Sequence, residues 1–335
     1  LLSVYFWYMT KQDTLGVFRE RILAHLDIRF QTKAPENLYE PIAYILGLGG
    51  KRMRPILTLM SVDVFDGDIE AALDAALAIE MFHNFSLVHD DIMDKAPLRR
   101  GKTTVHKKWD VNTGILSGDA LLIKSYQAFE NYPPVIFKKL VSLFSQTAIE
   151  VCEGQQYDID FETRNDVSVP EYLMMITYKT AVLVATSLKM RAIIAGASDT
   201  DAEALYSFGR NLGVAFQLQD DYLDAFGDPE TFGKQIGGDI IENKKTILYL
   251  KAVDSATIKD RQVLTDLFAG KPENPKEKIE RVKDIFLKSG SVDYLKRSIA
   301  DYTEKAFTDL DQISVSGEKK EVLRKFGEKL MGRTI

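Results

Sequence analysis

Two five-residue segments, DDIMD at 90–94 and DDYLD at 220–224, carry the aspartates whose type and spacing could do chemistry. On a helix, residues four apart share a face, so Asp90 aligns with Asp94 and Asp220 with Asp224. Asp91 and Asp221 add one more carboxylate to each segment. Like charges at this spacing repel, and each segment ends a long apolar-periodic stretch, where the helix macrodipole is already negative. Local stability argues against both clusters, and a divalent cation reverses the argument. Mg²⁺ takes hard oxygen ligands, usually one or two carboxylates plus substrate phosphate oxygens and water. A solvated acidic helix end is the plain alternative for one such segment. A second copy on an equally apolar helix weighs against it.

Metal-bound carboxylates call for an anionic substrate, and cations stand nearby. GGKRMRP (49–55) places Lys51, Arg52 and Arg54 beside glycines just before a helix, a composition suited to bidentate phosphate binding. LRRGKTT (98–104), with Arg99 and Arg100, follows the first acidic segment, and FGKQIGGDIIENKKT (232–246), with Lys234 and Lys244, follows the second. Any one of these loops reads as an exposed polar connection. Together with the carboxylates they describe a site for diphosphates held by several Mg²⁺ ions.

The elements that must carry these residues are helices. Apolar residues recur at i, i+3, i+4 and i+7, and alternating β-branched runs are nearly absent, so the expected fold class is all-α. Helices are expected near 13–31, 37–47, 54–65, 69–95, 112–131, 134–160, 170–195, 201–225, 244–253, 258–269, 275–288, 291–313 and 317–331, with breaks at Pro or Gly. No break has the composition of a linker and no fixed-period repeat occurs, so residues 9–335 are expected to form a single domain. The apolar segment 1–8 precedes Met9 and reads as extra or non-native, with a short packing segment the plain alternative. It is too short to span a membrane, and the most apolar internal run (181–197) is interrupted by Lys189 and Arg191, so no transmembrane segment is expected. The 335 residues carry 43 Lys+Arg against 49 Asp+Glu, a net charge of -6, with no basic block, which makes nucleic acid a poor partner. One cysteine excludes an intrachain disulfide framework and a multi-cysteine zinc site and fits a reducing cytoplasm, and four histidines weigh against His-rich metal chemistry.

GGKRMRP, FHNFSLVHDDIMD with LRRGKTTVH, GDALL (118–122), GQQYDID (154–160), YKT (178–180), and FQLQDDYLDAFGD with GKQIGGD occur in this order from about residue 37 to 250. The chain resembles the trans-isoprenyl diphosphate synthases, the farnesyl/geranylgeranyl diphosphate synthase family. The resemblance implies a single-domain isoprenoid synthase fold of about ten or more helices around a central cavity, usually homodimeric. It implies condensation of an allylic diphosphate with isopentenyl diphosphate, dependent on about three Mg²⁺ ions. It makes Asp90, Asp94 and Asp220 the direct metal ligands, supported by Asp91, Asp221 and Asp224. It assigns Arg99, Lys179, Lys234 and Lys244 to the allylic diphosphate and Lys51, Arg54, His83 and Arg100 to isopentenyl diphosphate. Gln217 and Thr180 fall near the developing allylic cation. Asn243 departs from the glycine the family often has before the lysine at 244, with Lys245 the substitute should Lys244 not serve.

The chemistry fits these roles. Breaking an allylic C–O bond leaves a diphosphate and a carbocation, so catalysis must stabilise the leaving group and keep the cation from water. Phe82, Phe85 and Phe216 could line an apolar cavity or be ordinary core. His89, directly before the first Asp, reads as a helix-packing residue or a support for the ligands rather than a direct participant. Glu80 and His83 have di-iron spacing, but no second such motif exists. Phe85 and Ser86, five and four positions before Asp90, resemble the family's chain-length gauge in its geranylgeranyl form. The nearest alternative product is farnesyl diphosphate, then longer chains. A class I terpene cyclase would not need the GGKR, Arg100 and His83 group, and a non-catalytic subunit would not need intact aspartates.

Overall fold

The structure is a computed structural model that describes residues 16–27, 29, 33–50, 52–60, 64–65, 67–228, 236–270 and 274–332. Lys51 and Lys234 lie outside the described residues, as does segment 1–8. Residues 16–27 are helical, and fifteen further α-helices follow among the described residues, with one two-stranded hairpin. The expectation of an all-α chain is met. The chain divides into two compact units, one within Leu1–Phe144 and Ser187–Ala202, the other within Ser145–Thr186 and Glu203–Ile335.

In the first unit, α1 (Glu36–Gly47), α2 (Met53–Met60) and α3 (Glu70–Met93) are followed by β1 (Leu98–Arg99), β2 (Lys102–Thr103), α4 (Val105–Lys108) and α5 (Val111–Gln127). Helix α3 is the core helix. Its Ala72, Ala75, Ala76, Ala78, Ile79 and Phe82 are fully enclosed, and small residues on so many sides let α2 and α5 pack against it. Phe144, at a ring distance of 5.2 Å from Phe82, gathers Tyr126 and Phe129 edge-on. Asp110 caps α5 by accepting from the Thr113 N–H at 2.9 Å.

In the second unit, the C-terminal part of α6 (Pro134–Thr163) is followed by α7 (Val169–Ile176), a π-helical turn (Thr177–Ala181), the start of α8 (Val182–Ile194), which passes into the first unit at Ser187, and, from Glu203 on, α9 (Asp199–Phe226). Ser168 and Glu171 form a capping box that starts α7. The sequence pattern read 170–195 as one regular helix, and the π turn is a departure from it. Helices α10 (Gly238–Ile241), α11 (Ile247–Ser255), α12 (Ile258–Phe268), α13 (Pro275–Lys288), α14 (Ser291–Asp311) and α15 (Gly317–Met331) complete the unit. Its core joins Leu218, Ile247, Leu264, Val282, Phe286 and Leu295. Two stretches, Glu70–Met93 and Val169–Ile194, have the length and apolarity of a membrane span, yet 72% and 56% of their apolar windows are buried within the protein. Burial of that kind is what a core helix shows.

Candidate active site

Helix α3 delivers the first carboxylates at its C-terminal end. Asp94 is the C-cap, its N–H donating to the Asp90 carbonyl at 2.9 Å. The hairpin then turns back through Arg100 and Gly101, both at positive φ (54° and 72°), which is the geometry of a two-residue primed turn. This reversal brings Arg99 over the acidic helix end, where Nε donates to Asp91 Oδ1 at 2.8 Å and Nη2 to Asp90 Oδ2 at 3.2 Å. Asp91 is fully buried, and its Oδ2 has no hydrogen-bond partner. Burial raises its carboxyl above the ordinary range while Arg99 opposes the shift. Asp91 thus orients Arg99, and Asp90 and Asp94 form the pair at the helix end.

The GGKRMRP turn lies in the same unit. Gly50, at φ 119°, has no room for a side chain: a Cβ there would lie 2.7 Å from Arg100 Cζ. Arg100 also donates to the Gly49 carbonyl. Gly50 therefore serves the approach of Arg100, and Gly49, at φ 78°, serves the turn itself. Arg54 Nη1 donates to His83 Nε2 at 3.2 Å, which leaves Nδ1 as the donor nitrogen of a neutral His83 ring. Burial, then Arg54, Arg100 and the neighbouring arginines, push His83 well below its ordinary value. Burial also lowers Arg54, with Glu80 acting the other way. Arg52, grouped by the sequence with the phosphate-binding cations, has a structural role instead. It is 4% exposed and donates to Glu80 and to the Leu46 carbonyl.

In the second unit a cavity of about 130 Å³ is lined by Lys179, Thr180, Gln217, Asp221, Asp239 and Lys244 among others. Lys179 pairs with Asp158, and Thr180 Oγ1 donates to Gln217 Oε1 at 3.4 Å. Asp221 is buried, accepting from Tyr172 Oη and, at 3.3 Å, from Gln217 Nε2. Burial and the nearby charge of Asp239 hold its carboxyl well above the ordinary range. Asp224 Oδ2 accepts from the Asp239 N–H at 3.0 Å and so fixes the start of α10. Asn243 stands at φ 61°, a left-handed conformation that glycine adopts freely and asparagine tolerates, so the departure from glycine preserves the turn. Lys244 precedes α11 rather than lying on it, and reaches the cavity. Lys245 borders the same cavity, with its Nζ donating to the carbonyls of Phe161, Glu162 and Arg164 at the end of α6.

Among the described residues no three His, Cys, Asp or Glu side chains form a ready-made cage. Mg²⁺ relies on one or two carboxylates and completes its shell with substrate oxygens and water, so paired carboxylates at a helix end are chemically suited to it. Asp90, Asp94 and Asp220 fit that part, while Asp91, Asp221 and Asp224 hold Arg99, Tyr172 with Gln217, and α10. Phe82 is core, and Phe85, 9% exposed, lies between it and His89 at ring distances of 5.4 and 4.8 Å. Ser86 Oγ donates to the His83 carbonyl at 2.9 Å. His89 is a packing residue as expected: a Cβ at Gly118 would lie 2.3 Å from its Nε2. Sequence reasoning missed Glu80, Asp158, Tyr172 and Asp239. Asp158 and Asp239 had signals in the GQQYDID and GKQIGGD segments, and Glu80 in its spacing to His83.

Helices ending in paired aspartates, each with arginines or lysines gathered within its own unit, define an all-α protein built to hold diphosphates. The family model for polyprenyl synthetase matches residues 35–286. The chain is 37% identical over 313 residues to a geranylgeranyl diphosphate synthase of Methanosarcina mazei, covering 93% of this chain and 94% of that one. It is 33% identical to a geranylfarnesyl diphosphate synthase of Natronomonas pharaonis, covering 96% and 98%. A crystal structure of a geranylgeranyl pyrophosphate synthase superposes with a TM-score of 0.91 at 53% identity, covering 96% of this chain and 99% of that one. The chain belongs to the polyprenyl synthetase family. Its activity is that of a trans-isoprenyl diphosphate synthase, a prenyltransferase.

Proposed function

We propose that the chain joins an allylic diphosphate head-to-tail to isopentenyl diphosphate with Mg²⁺ as its metal, and that the product is geranylgeranyl diphosphate. The observation that carries the reading is the Arg54, His83 and Arg100 group. His83 and Asp90 are seven residues apart on one helix, two turns and roughly 10 Å, so a second diphosphate has its own basic site beside the metal-ligating end. A terpene cyclase ionises a single diphosphate and has no use for such a site.

Asp90, Asp94 and Asp220 would hold Mg²⁺, which supplies charge neutralisation of the leaving diphosphate when bound. Arg99, Lys179, Lys234 and Lys244 bind the allylic diphosphate. Thr180 and Gln217 offer oxygens to the nascent cation, which is stabilised without being given a nucleophile. Lys51, Arg54, His83 and Arg100 hold isopentenyl diphosphate, whose double bond is the nucleophile of the condensation. The released diphosphate takes the final proton. Phe85, with small Ser86 beside it, supports a floor that stops the tail at twenty carbons.

The active form is a homodimer. In its support, Val111, Ile115, Leu116 and Ile123 leave an exposed apolar stripe along α5, from 41% to 60% accessible. The protein works in the cytoplasm without a membrane segment, a reading supported by its single cysteine. The test is incubation with Mg²⁺, isopentenyl diphosphate and five-, ten- or fifteen-carbon allylic primers, followed by chromatographic sizing. A dominant twenty-carbon diphosphate that disappears with EDTA is expected. Failure to elongate any primer, or release of cyclised hydrocarbon, overturns the reading. A longer product overturns the length assignment alone.

A further inference from the structure

Lys179 and Thr180 sit on the π turn, where the Val182 N–H reaches back to the Thr177 carbonyl five residues earlier. A π turn packs one extra residue into a helix and recurs at functional sites. Here two glycines on different helices make room for it. A Cβ at Gly154 on α6 would lie 2.3 Å from Lys179 N and 2.8 Å from Lys179 Cα. A Cβ at Gly213 on α9 would lie 2.8 Å from Ala181 Cα and 2.9 Å from its Cβ. At Gly154 the contact is with backbone, which cannot rotate away as a side chain can.

Each glycine also stands in a fixed relation to a polar partner. Asp158, which pairs with Lys179, is four residues after Gly154 on α6. Gln217, which accepts from Thr180, is four residues after Gly213 on α9. One helical turn separates glycine from partner on a common face. Each helix thus admits the bulged backbone at one level and receives the bulge's side chain at the next. Glycine inside a helix is unfavourable compared with alanine, so two of them opposite one turn call for a reason.

We propose that Gly154 and Gly213 are positioning residues for the prenyl transfer, setting the π turn that aims Lys179 and Thr180 into the cavity. The inference rests on the assignment of Lys179 and Thr180 to the allylic half of the reaction. An added methyl pushes the turn away and takes the Lys179 ammonium from its place beside Asp158. A displacement on the order of 1 Å is enough for about a hundredfold loss in kcat.

The experiment compares Gly154→Ala, Gly213→Ala and Lys179→Ala with the parent. It measures kcat, KM for isopentenyl diphosphate, Ki of inorganic pyrophosphate competing with the allylic substrate, and far-ultraviolet circular dichroism. Both glycine variants should lose kcat and bind pyrophosphate at least about tenfold more weakly, with KM for isopentenyl diphosphate within about twofold. A general loss of folding would not spare one substrate. Adding Ala181→Gly to Gly213→Ala removes one of the two crowded atoms and should restore part of the lost kcat. This pair decides the matter even where Gly154→Ala does not fold. Parent-like kcat and Ki in Gly213→Ala, or no recovery with Ala181→Gly, overturns the proposal. An effect of the glycines with Lys179→Ala unaffected would instead sink the assignment of Lys179.

Discussion

Replacing Glu80 with leucine strands a cation inside the first unit. Arg52 and Glu80 are 4% and 1% exposed, and Arg52 keeps only the Leu46 carbonyl once the carboxylate is gone. Its Nε already has no partner. Breaking a buried ion pair from one side costs about 3–5 kcal/mol, because the remaining charge is left uncompensated. Asn84 loses its 2.9 Å bond to Glu80 Oε1 but keeps the one to the Glu80 carbonyl at 2.8 Å, so its part is about 1 kcal/mol at most. Glu80→Leu should therefore cost about 4 kcal/mol. Glu80→Gln retains an acceptor of the same shape and should cost about 1–2 kcal/mol. Arg52→Met with Glu80→Leu removes both charges and should recover most of the loss. Guanidinium unfolding followed by circular dichroism gives the three values. If Glu80→Leu stays within 1 kcal/mol of the parent, or the double variant is no better than the single, the pair is not the anchor of the GGKRMRP turn.

Asp90→Ala and Asp220→Ala should each lower turnover by about three orders of magnitude, several kcal/mol of transition-state stabilisation, with circular dichroism unchanged; near-normal turnover in either would remove that residue from the metal site. Arg54→Ala and His83→Ala should raise KM for isopentenyl diphosphate well above that for the allylic primer, and equal effects on both would deny separate subsites. Phe85→Ala should lengthen the products and Ser86→Phe shorten them, as read by chromatography. Phe85 is 9% exposed, so the alanine variant should also lose about 3–5 kcal/mol of stability. His83 has a pH signature: the native state refuses a proton that the unfolded chain accepts below the ordinary value of 6.5. Unfolded molecules then bind more protons, so this group's share of stability is complete above that pH and declines as pH falls, by about 1.4 kcal/mol per unit. Denaturation of parent and His83→Gln between pH 7 and pH 5, on the order of two units, should show the steeper decline in the parent; parallel slopes would refute it.

The helices and acidic segments were legible because both rest on spacing within one stretch of chain, the 3.6-residue repeat and the i, i+4 pairing. What could not be read depends on partners far away in sequence. The π turn at Thr177–Ala181 owes its place to glycines on two other helices. Arg52 and Arg54 are the same residue type two positions apart, and only the fold turns one toward Glu80 and the other toward His83. Lys244 and Lys245 both border the cavity, and only the fold commits the second to the carbonyls at the end of α6. Asp91, Asp221 and Asp224 resemble their neighbours in every respect a sequence records, and differ in which groups they hold in place.

The grip of Lys245 on three backbone oxygens, those of Phe161, Glu162 and Arg164, has a mechanical consequence. The strand of chain bearing Asp239 and Lys244 is tethered to the same helix that bears Asp158. Parting these two walls would strip an ammonium of all three acceptors and leave a helix terminus without its counter-charge. The cavity therefore behaves like a vice with one jaw welded to its frame. Separating those walls would have to break all three bonds at once.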